Sequence, residues 1–180
     1  MQTTEYEVRI LNIDKEKVIK RLEEIGAKKE GDYEYRRYVY GFKPEVYEKW
    51  IRLRTNGKKS TLTIKEIKDY TISGTKEREI IVSDFDTTNE ILNELGYTPK
   101  SYQENRRTRY KLDNIEIDID TWPLIPTYME IEGKSEEEVY IALEKLNIQK
   151  DKVTSLDVEG IYREIYGIDI SNMSTLKFDW

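Results

Sequence analysis

Residues 115–121 read Ile115-Glu116-Ile117-Asp118-Ile119-Asp120-Thr121, so isoleucine alternates with an acid three times in a row. Successive side chains of a strand point to opposite faces. The three isoleucines therefore share one face, and Glu116, Asp118 and Asp120 share the other. On a helix the same string would scatter both kinds around the cylinder. The stretch predicts a strand with one apolar and one anionic face, and its β-branched residues suit that backbone.

The same parity extends in both directions. Glu5, Glu7 and Arg9 oppose Tyr6, Val8 and Ile10; Arg52 and Arg54 oppose Ile51 and Leu53. Thr63 and Lys65 oppose Leu62 and Ile64, and Glu130 and Glu132 oppose Met129 and Ile131. Glu77 and Glu79 share a face, as do Arg107, Arg109 and Lys111. Strands are expected over 4–11, 33–42, 49–56, 60–68, 76–83, 103–112, 114–121 and 127–133. Asn56-Gly57 and Asp113-Asn114 read as hairpin turns, and Ser73-Gly74-Thr75 as a longer one. Four helices are expected: one after Asp14 ending at Gly26, one after Thr87/Thr88 ending at Gly96, one from Ser135 with Glu138 as a capping box, and one near 157–166. A repeat is visible. A Glu-x-Glu strand, a helix and a Gly precede Arg36-Arg37 by ten residues, and the same order, with Gly96, precedes Arg106-Arg107 by ten. Two similar β-α-β halves would explain it, and so would chance in a chain rich in Lys, Glu and Tyr.

Composition narrows the chemistry. The chain has 180 residues, 36 acids, 30 Lys and Arg, and neither His nor Cys; charged residues make up 37%, as do apolar ones. Fourteen tyrosines and a net charge of only −6 argue against disorder. Without Cys there is no disulfide, thiolate zinc site or thiol nucleophile. Without His there is no Ser-His-Asp triad. Any metal must sit among oxygens, which suits Mg²⁺, Mn²⁺ or Ca²⁺. No signal peptide or membrane helix is visible, so a cytoplasmic protein is expected, with no membrane partner. The acidic net charge does not favour nucleic acid as a partner.

The charged faces have two readings. An antiparallel sheet can leave one face in water. Yet the charges cluster by sign, whereas a solvated face tuned for cross-strand pairing would interleave them. If about eight strands close into a barrel under the helices, the charged face becomes an interior. Burying such a lining is costly unless something pairs with it. A triphosphate held by the bases, with Mg²⁺ held by the acids, meets that need.

The ordered motifs resemble those of the CYTH superfamily, the triphosphate tunnel metalloenzymes. Glu5-x-Glu7-x-Arg9 is similar to its ExExK signature, with Arg where Lys is usual. Arg52-Leu53-Arg54, Leu62-Thr63-Ile64-Lys65, Glu77-Arg78-Glu79, Arg107-Thr108-Arg109, Asp118 to Asp120 and Glu130-Ile131-Glu132-Gly133 follow in order. The resemblance implies an α+β fold: an eight-stranded antiparallel β-barrel (tunnel) with flanking helices, occupying residues 1–170, with 171–180 as a C-terminal tail. It implies Mg²⁺ or Mn²⁺ held by Glu5, Glu7, Asp120, Glu130 and Glu132. Arg9, Arg52, Arg54, Lys65, Arg107 and Arg109 would hold phosphates, and Lys65, Glu77 and Glu79 would serve catalysis. Its members include class IV adenylate cyclases, thiamine triphosphatases and inorganic triphosphatases. The expected partner is thus a triphosphate-containing small molecule, and the expected activity is metal-dependent hydrolysis of it. Cyclisation of ATP to cyclic AMP is the main alternative, and a non-catalytic polyphosphate-binding module a further one. Trp122-Pro123-Leu124-Ile125-Pro126 reads as a packed turn or a stacking edge. A homodimer is an open alternative: tyrosines on the helices would suit a dimer surface, although aromatic residues are more often core.

Overall fold

The computed structural model describes residues 2–46 and 48–179; Met1 of the expected domain and Trp180 of the expected tail lie outside them. Eight antiparallel strands form in chain order: β1 (Thr3–Ile10), β2 (Lys28–Gly41), β3 (Lys49–Thr55), β4 (Ser60–Ile67), β5 (Thr75–Val82), β6 (Ser101–Leu112), β7 (Ile115–Thr121) and β8 (Tyr128–Gly133). They pair in the order β2-β3-β4-β5-β1-β8-β7-β6, and β6 pairs back with β2, so the sheet closes. Full closure leaves neither face a free edge and gives the barrel an inside and an outside.

The apolar parity faces out. Val8, Ile10, Ile117, Ile119, Met129 and Ile131 are buried beneath helices α1 (Lys15–Glu24) and α3 (Glu136–Leu146). Leu22 supplies α1's contact, and Val139, Ala142, Leu143 and Leu146 supply that of α3. Helix α2 (Phe85–Glu94) covers Ile51 and Leu53 with Phe85 and Leu92. The caps are local. Asp14 accepts from the Lys17 N–H at 3.2 Å, and Ser135 from the Glu138 N–H at 3.2 Å. Helix α2 starts a turn earlier than Thr87/Thr88 suggests, because the Asp84 carboxylate takes the Thr87 N–H at 2.7 Å. The fourth helix, α4 (Val158–Gly160), continues as a π-helical turn over Ile161–Ile165. Ile161 and Tyr162 thereby pack with Trp122, Ile125 and Tyr128.

The repeat is real in space. β1 pairs with β5 and β2 with β6, while β2–β3 and β6–β7 pair alike, as do β3–β4 and β7–β8. The two halves are thus related by a pseudo-two-fold that passes between Tyr35 and Asn105, which face each other across β2 and β6. Gly26 and Gly96 end α1 and α2 at φ +81° and +87°, a conformation glycine adopts without steric cost. The segment after residue 170 adds a two-residue strand, β9 (Thr175–Leu176), parallel to β6, and buries Leu176. No helix among the described residues is long and apolar enough to cross a membrane.

Candidate functional site

The inward parity carries charged or polar side chains on every strand, with Val39 and Trp50 among them, and lines a cavity of about 680 Å³. The acids and bases concentrate on different walls, with Arg9, Arg107 and Arg109 set among the acids and Glu77 and Glu79 beside the bases. Strands β1, β8 and β7 bring Glu5, Glu7, Glu130, Glu132, Asp118 and Asp120 together. Strands β2, β3 and β4 bring Arg37, Arg52, Arg54 and Lys65.

Register sets the neighbours. Glu7 lies opposite Glu132, and Asp118 opposite Glu130, so like charges meet directly. Such pairs destabilise an empty sheet. Glu7, Glu130 and Glu132 each place a carboxylate oxygen within 4.8 Å of the others. That is an all-oxygen donor set, as a hard divalent cation requires. Burial and the neighbouring Glu5, Glu130 and Glu7 push Glu132 up to about 8. Glu130 differs: burial works against its charge, but Arg9 and Arg107 hold its carboxyl well below the usual range. Glu130 is therefore an anion at neutral pH, while Glu132 is close to its titration point. The structure leaves Glu5 and Asp120 outside this trio. Glu5 pairs with Lys65 at 2.8 Å, and Asp120 is clamped by Arg107 and bonded by Asn105.

The predicted cations fall into two groups. Arg9, Arg107 and Arg109 are paired with carboxylates. Arg9 reaches Glu7 at 3.0 Å and Glu130 at 2.7 Å, and donates to the Leu156 carbonyl at 2.8 Å. Arg107 bonds Asp120, Asp118 and, at 3.1 Å, Glu130. Arg109 forks onto Asp118 at 2.8 and 2.7 Å. The second group is looser. Arg52 lies 3.5 Å from Glu79 and 3.9 Å from Glu77, and Arg54 lies 4.0 Å from Glu79. Arg54 stacks on the Tyr35 ring at 4.8 Å. Burial, then Arg52 and Arg107, lower the Arg54 guanidinium to about 10. Lys65 contacts Glu5 and, at 3.7 Å, Glu77. Glu79 accepts from Thr63 at 2.8 Å; burial opposes its charge, but that bond and the two arginines hold it low.

Arg37 belongs to this wall, and no motif pointed to it. Its signal was the repeat, which sets it ten residues past Gly26 as Arg107 is set past Gly96. Asp118, which binds both Arg107 and Arg109, also had no role assigned from sequence. Trp122 is buried in a packed turn, where Tyr162 donates to the Pro123 carbonyl, and its ring also supports Arg37.

The CYTH domain model matches residues 3–157, which span both halves of the barrel. The solved PH1012 protein of Pyrococcus horikoshii OT3 is 25% identical, over 85% of this chain and 96% of that one, at a TM-score of 0.73. A candidate adenylate cyclase of Vibrio parahaemolyticus is 11% identical, over 92% and 98%, at 0.74. A candidate adenylyl cyclase of Hippeastrum with a dominant triphosphatase activity is 14% identical, over 93% and 97%, at 0.61. No curated protein matches the chain. A family match that covers all eight barrel strands, and with them both charged walls, places this chain in the CYTH domain family.

Proposed function

We propose that the protein is a divalent-metal-dependent phosphohydrolase acting on a triphosphate compound, either inorganic or carried by a nucleoside or thiamine. One observation carries this reading: the pattern of buried polar atoms without partners. Arg9 Nε, Arg37 Nε, Arg52 Nε, Thr61 Oγ1, Trp122 Nε1 and Tyr128 OH are donors with no acceptor, and all six residues line the cavity. On the acid side, Glu5 Oε2 meets Lys65 at 2.8 Å, whereas Glu77 Oε2 lies 3.7 Å from the same lysine, beyond hydrogen-bond reach. Orphaned buried groups of this kind are costly and rare. A ligand rich in acceptor oxygens satisfies the donors, and a cation arriving with it offsets the clustered acids.

Glu7, Glu130 and Glu132 fit Mg²⁺ or Mn²⁺ by donor chemistry and spacing. Such an ion supplies Lewis-acid polarisation and neutralises phosphate charge. The chain's own residues do the positioning, which is most of the work in phosphoryl transfer. Arg52, Arg54 and Lys65 face the phosphate oxygens. Glu79 orients the two arginines, and Glu5 and Glu77 hold the lysine. Arg107 and Arg109 are committed to Asp118 and Asp120, so their first role is to hold the acidic wall.

The test is product analysis with tripolyphosphate, ATP and thiamine triphosphate, each with Mg²⁺, Mn²⁺ or EDTA. Metal-dependent release of orthophosphate from at least one substrate is expected. Cyclic AMP and pyrophosphate from ATP would replace hydrolysis by cyclisation. Binding without any product would leave a polyphosphate-binding module instead.

A further inference from the structure

Arg37 is 7% exposed and projects into the tunnel from β2, with Arg54 as its cross-strand neighbour on β3. Among the described residues it makes no ion pair. One Nη donates to Asn105 Oδ1, the guanidinium lies 4.6 Å from the centre of the Trp122 ring, and Nε is buried with no partner. Burial, then Arg54, Arg52 and Arg107, push its pKa well below the ordinary value, and Asp120 offsets them only in part. A buried guanidinium in such company is a net cost to the empty fold. The equivalent residue of the other half, Arg107, sits opposite Asp120 and bonds Asp118 and Glu130 as well. Where that half has Asp120, this half has Arg54.

We propose that Arg37 is a substrate-binding residue: with Arg54 it forms a two-arginine clamp for one phosphate group of the ligand. Resting on the polyphosphate reading of the tunnel, this adds a fixed subsite to it. The stack on Trp122 and the bond to Asn105 hold the guanidinium plane in place, so little freedom is lost when phosphate arrives.

The experiment compares wild type, Arg37→Met and Arg37→Lys by thermal melting and by calorimetric titration with tripolyphosphate and with ATP, Mg²⁺ present. Without ligand, Arg37→Met should melt at or above the wild-type temperature, because a buried uncompensated charge has gone. Its affinity for at least one of the two ligands should fall ~10- to ~100-fold, the size expected for losing a charge-assisted contact. Arg37→Lys should lie between, since it keeps the charge and loses the fork. The ligand that shows the loss identifies the source of the phosphate. Unchanged affinity for both ligands would overturn the assignment. So would an Arg37→Met protein that melts far lower or fails to fold without ligand, because an arginine kept for a ligand is dispensable to the empty barrel. If wild type itself binds neither compound, the polyphosphate reading fails; if wild type binds and Arg37→Met binds equally, only the clamp fails.

Discussion

The β2–β3 seam and the β6–β7 seam are the same place in the two halves of the barrel, and they carry opposite electrostatics. Across β6–β7, Arg107 faces Asp120 and Arg109 faces Asp118. Across β2–β3, Arg37 faces Arg54. One seam neutralises itself; the other concentrates positive charge in a low-dielectric interior. The backbone around them is equivalent, down to the Asp14 and Asp84 caps and the Gly26 and Gly96 stops. Scaffold and lining are therefore separable: symmetry builds the barrel, and departures from symmetry on the inner face make it able to bind. A seam that is complete contributes to folding, whereas on the proposed reading an incomplete seam is completed by a ligand.

The sharpest way to break this comparison is to remove the equivalent arginines. Arg107→Met would strand Asp120, which is 0% exposed and keeps only the Asn105 amide, while Asp118 retains Arg109. Breaking a buried pair by removing one partner costs ~3–5 kcal/mol. Denaturant unfolding should show a loss of that size at position 107, against none at position 37. Equal losses at both would erase the distinction between the seams.

Activity supplies the next largest effect. Lys65→Ala removes a cation from the incomplete side, and Glu132→Gln removes a carboxylate from the trio. Each should lower kcat/KM by about 10² or more, equivalent to ~2.7 kcal/mol of transition-state stabilisation. Glu132→Gln should not lower the melting temperature of the ligand-free protein, because it relieves like-charge repulsion, whereas Lys65→Ala takes the partner of the buried Glu5 and should lower it. Near-wild-type kinetics in both would discard the roles given to these walls.

pH probes the acidic wall alone. Glu132 titrates near 8 in the folded protein, and an unfolded glutamate near 4.5. A carboxyl whose folded value is raised stabilises the fold only while protonated. That contribution is complete below about 4.5 and disappears as pH rises through 8. The metal-free protein should therefore lose stability across that window. Cation binding needs the carboxylate, so Mn²⁺ affinity should rise up to about tenfold per pH unit before levelling off above 8. Melting curves with and without Mn²⁺ from pH 5 to 9 check both slopes. A flat Mn²⁺ response would remove Glu132 from the trio.

The sequence showed the scaffold well because strand parity is a local signal. Ile115 to Thr121 carries its own face assignment, and all eight expected barrel strands form. It showed the lining only as a list of charges. Which acid meets which base depends on registers between strands distant in sequence, including the irregularity between Lys29 and Gly31 in the β2–β6 pairing. Parity could place Arg107 and Arg109 inside, but not reveal that Asp118 binds both. Arg37 was visible as half of a repeated Arg-Arg pair, yet its lack of an acid appears only when β3 is laid beside it. Thr175 and Leu176 make a strand too short to show alternation at all.

The smallest expected effect concerns the axis between the halves. Tyr35 and Asn105 face each other there; Tyr35 serves the β2–β3 seam, and Asn105 serves both. Asn105 bonds Asp120 and Arg37, while the Tyr35 ring lies beneath the Arg54 guanidinium. Tyr35→Leu keeps an apolar support and removes the ring's negative face. A partly shielded cation–π contact is worth ~0.5–1 kcal/mol. If Arg54 is held ready for a phosphate, losing that support should raise KM roughly two- to fivefold and leave kcat nearly unchanged. Steady-state kinetics with whichever triphosphate proves to be the substrate would show the split. A fall in kcat with constant KM would place Arg54 in the chemical step instead of in binding. The direction matters more than the size, because it separates an arginine that holds the substrate from one that acts on the reacting phosphorus.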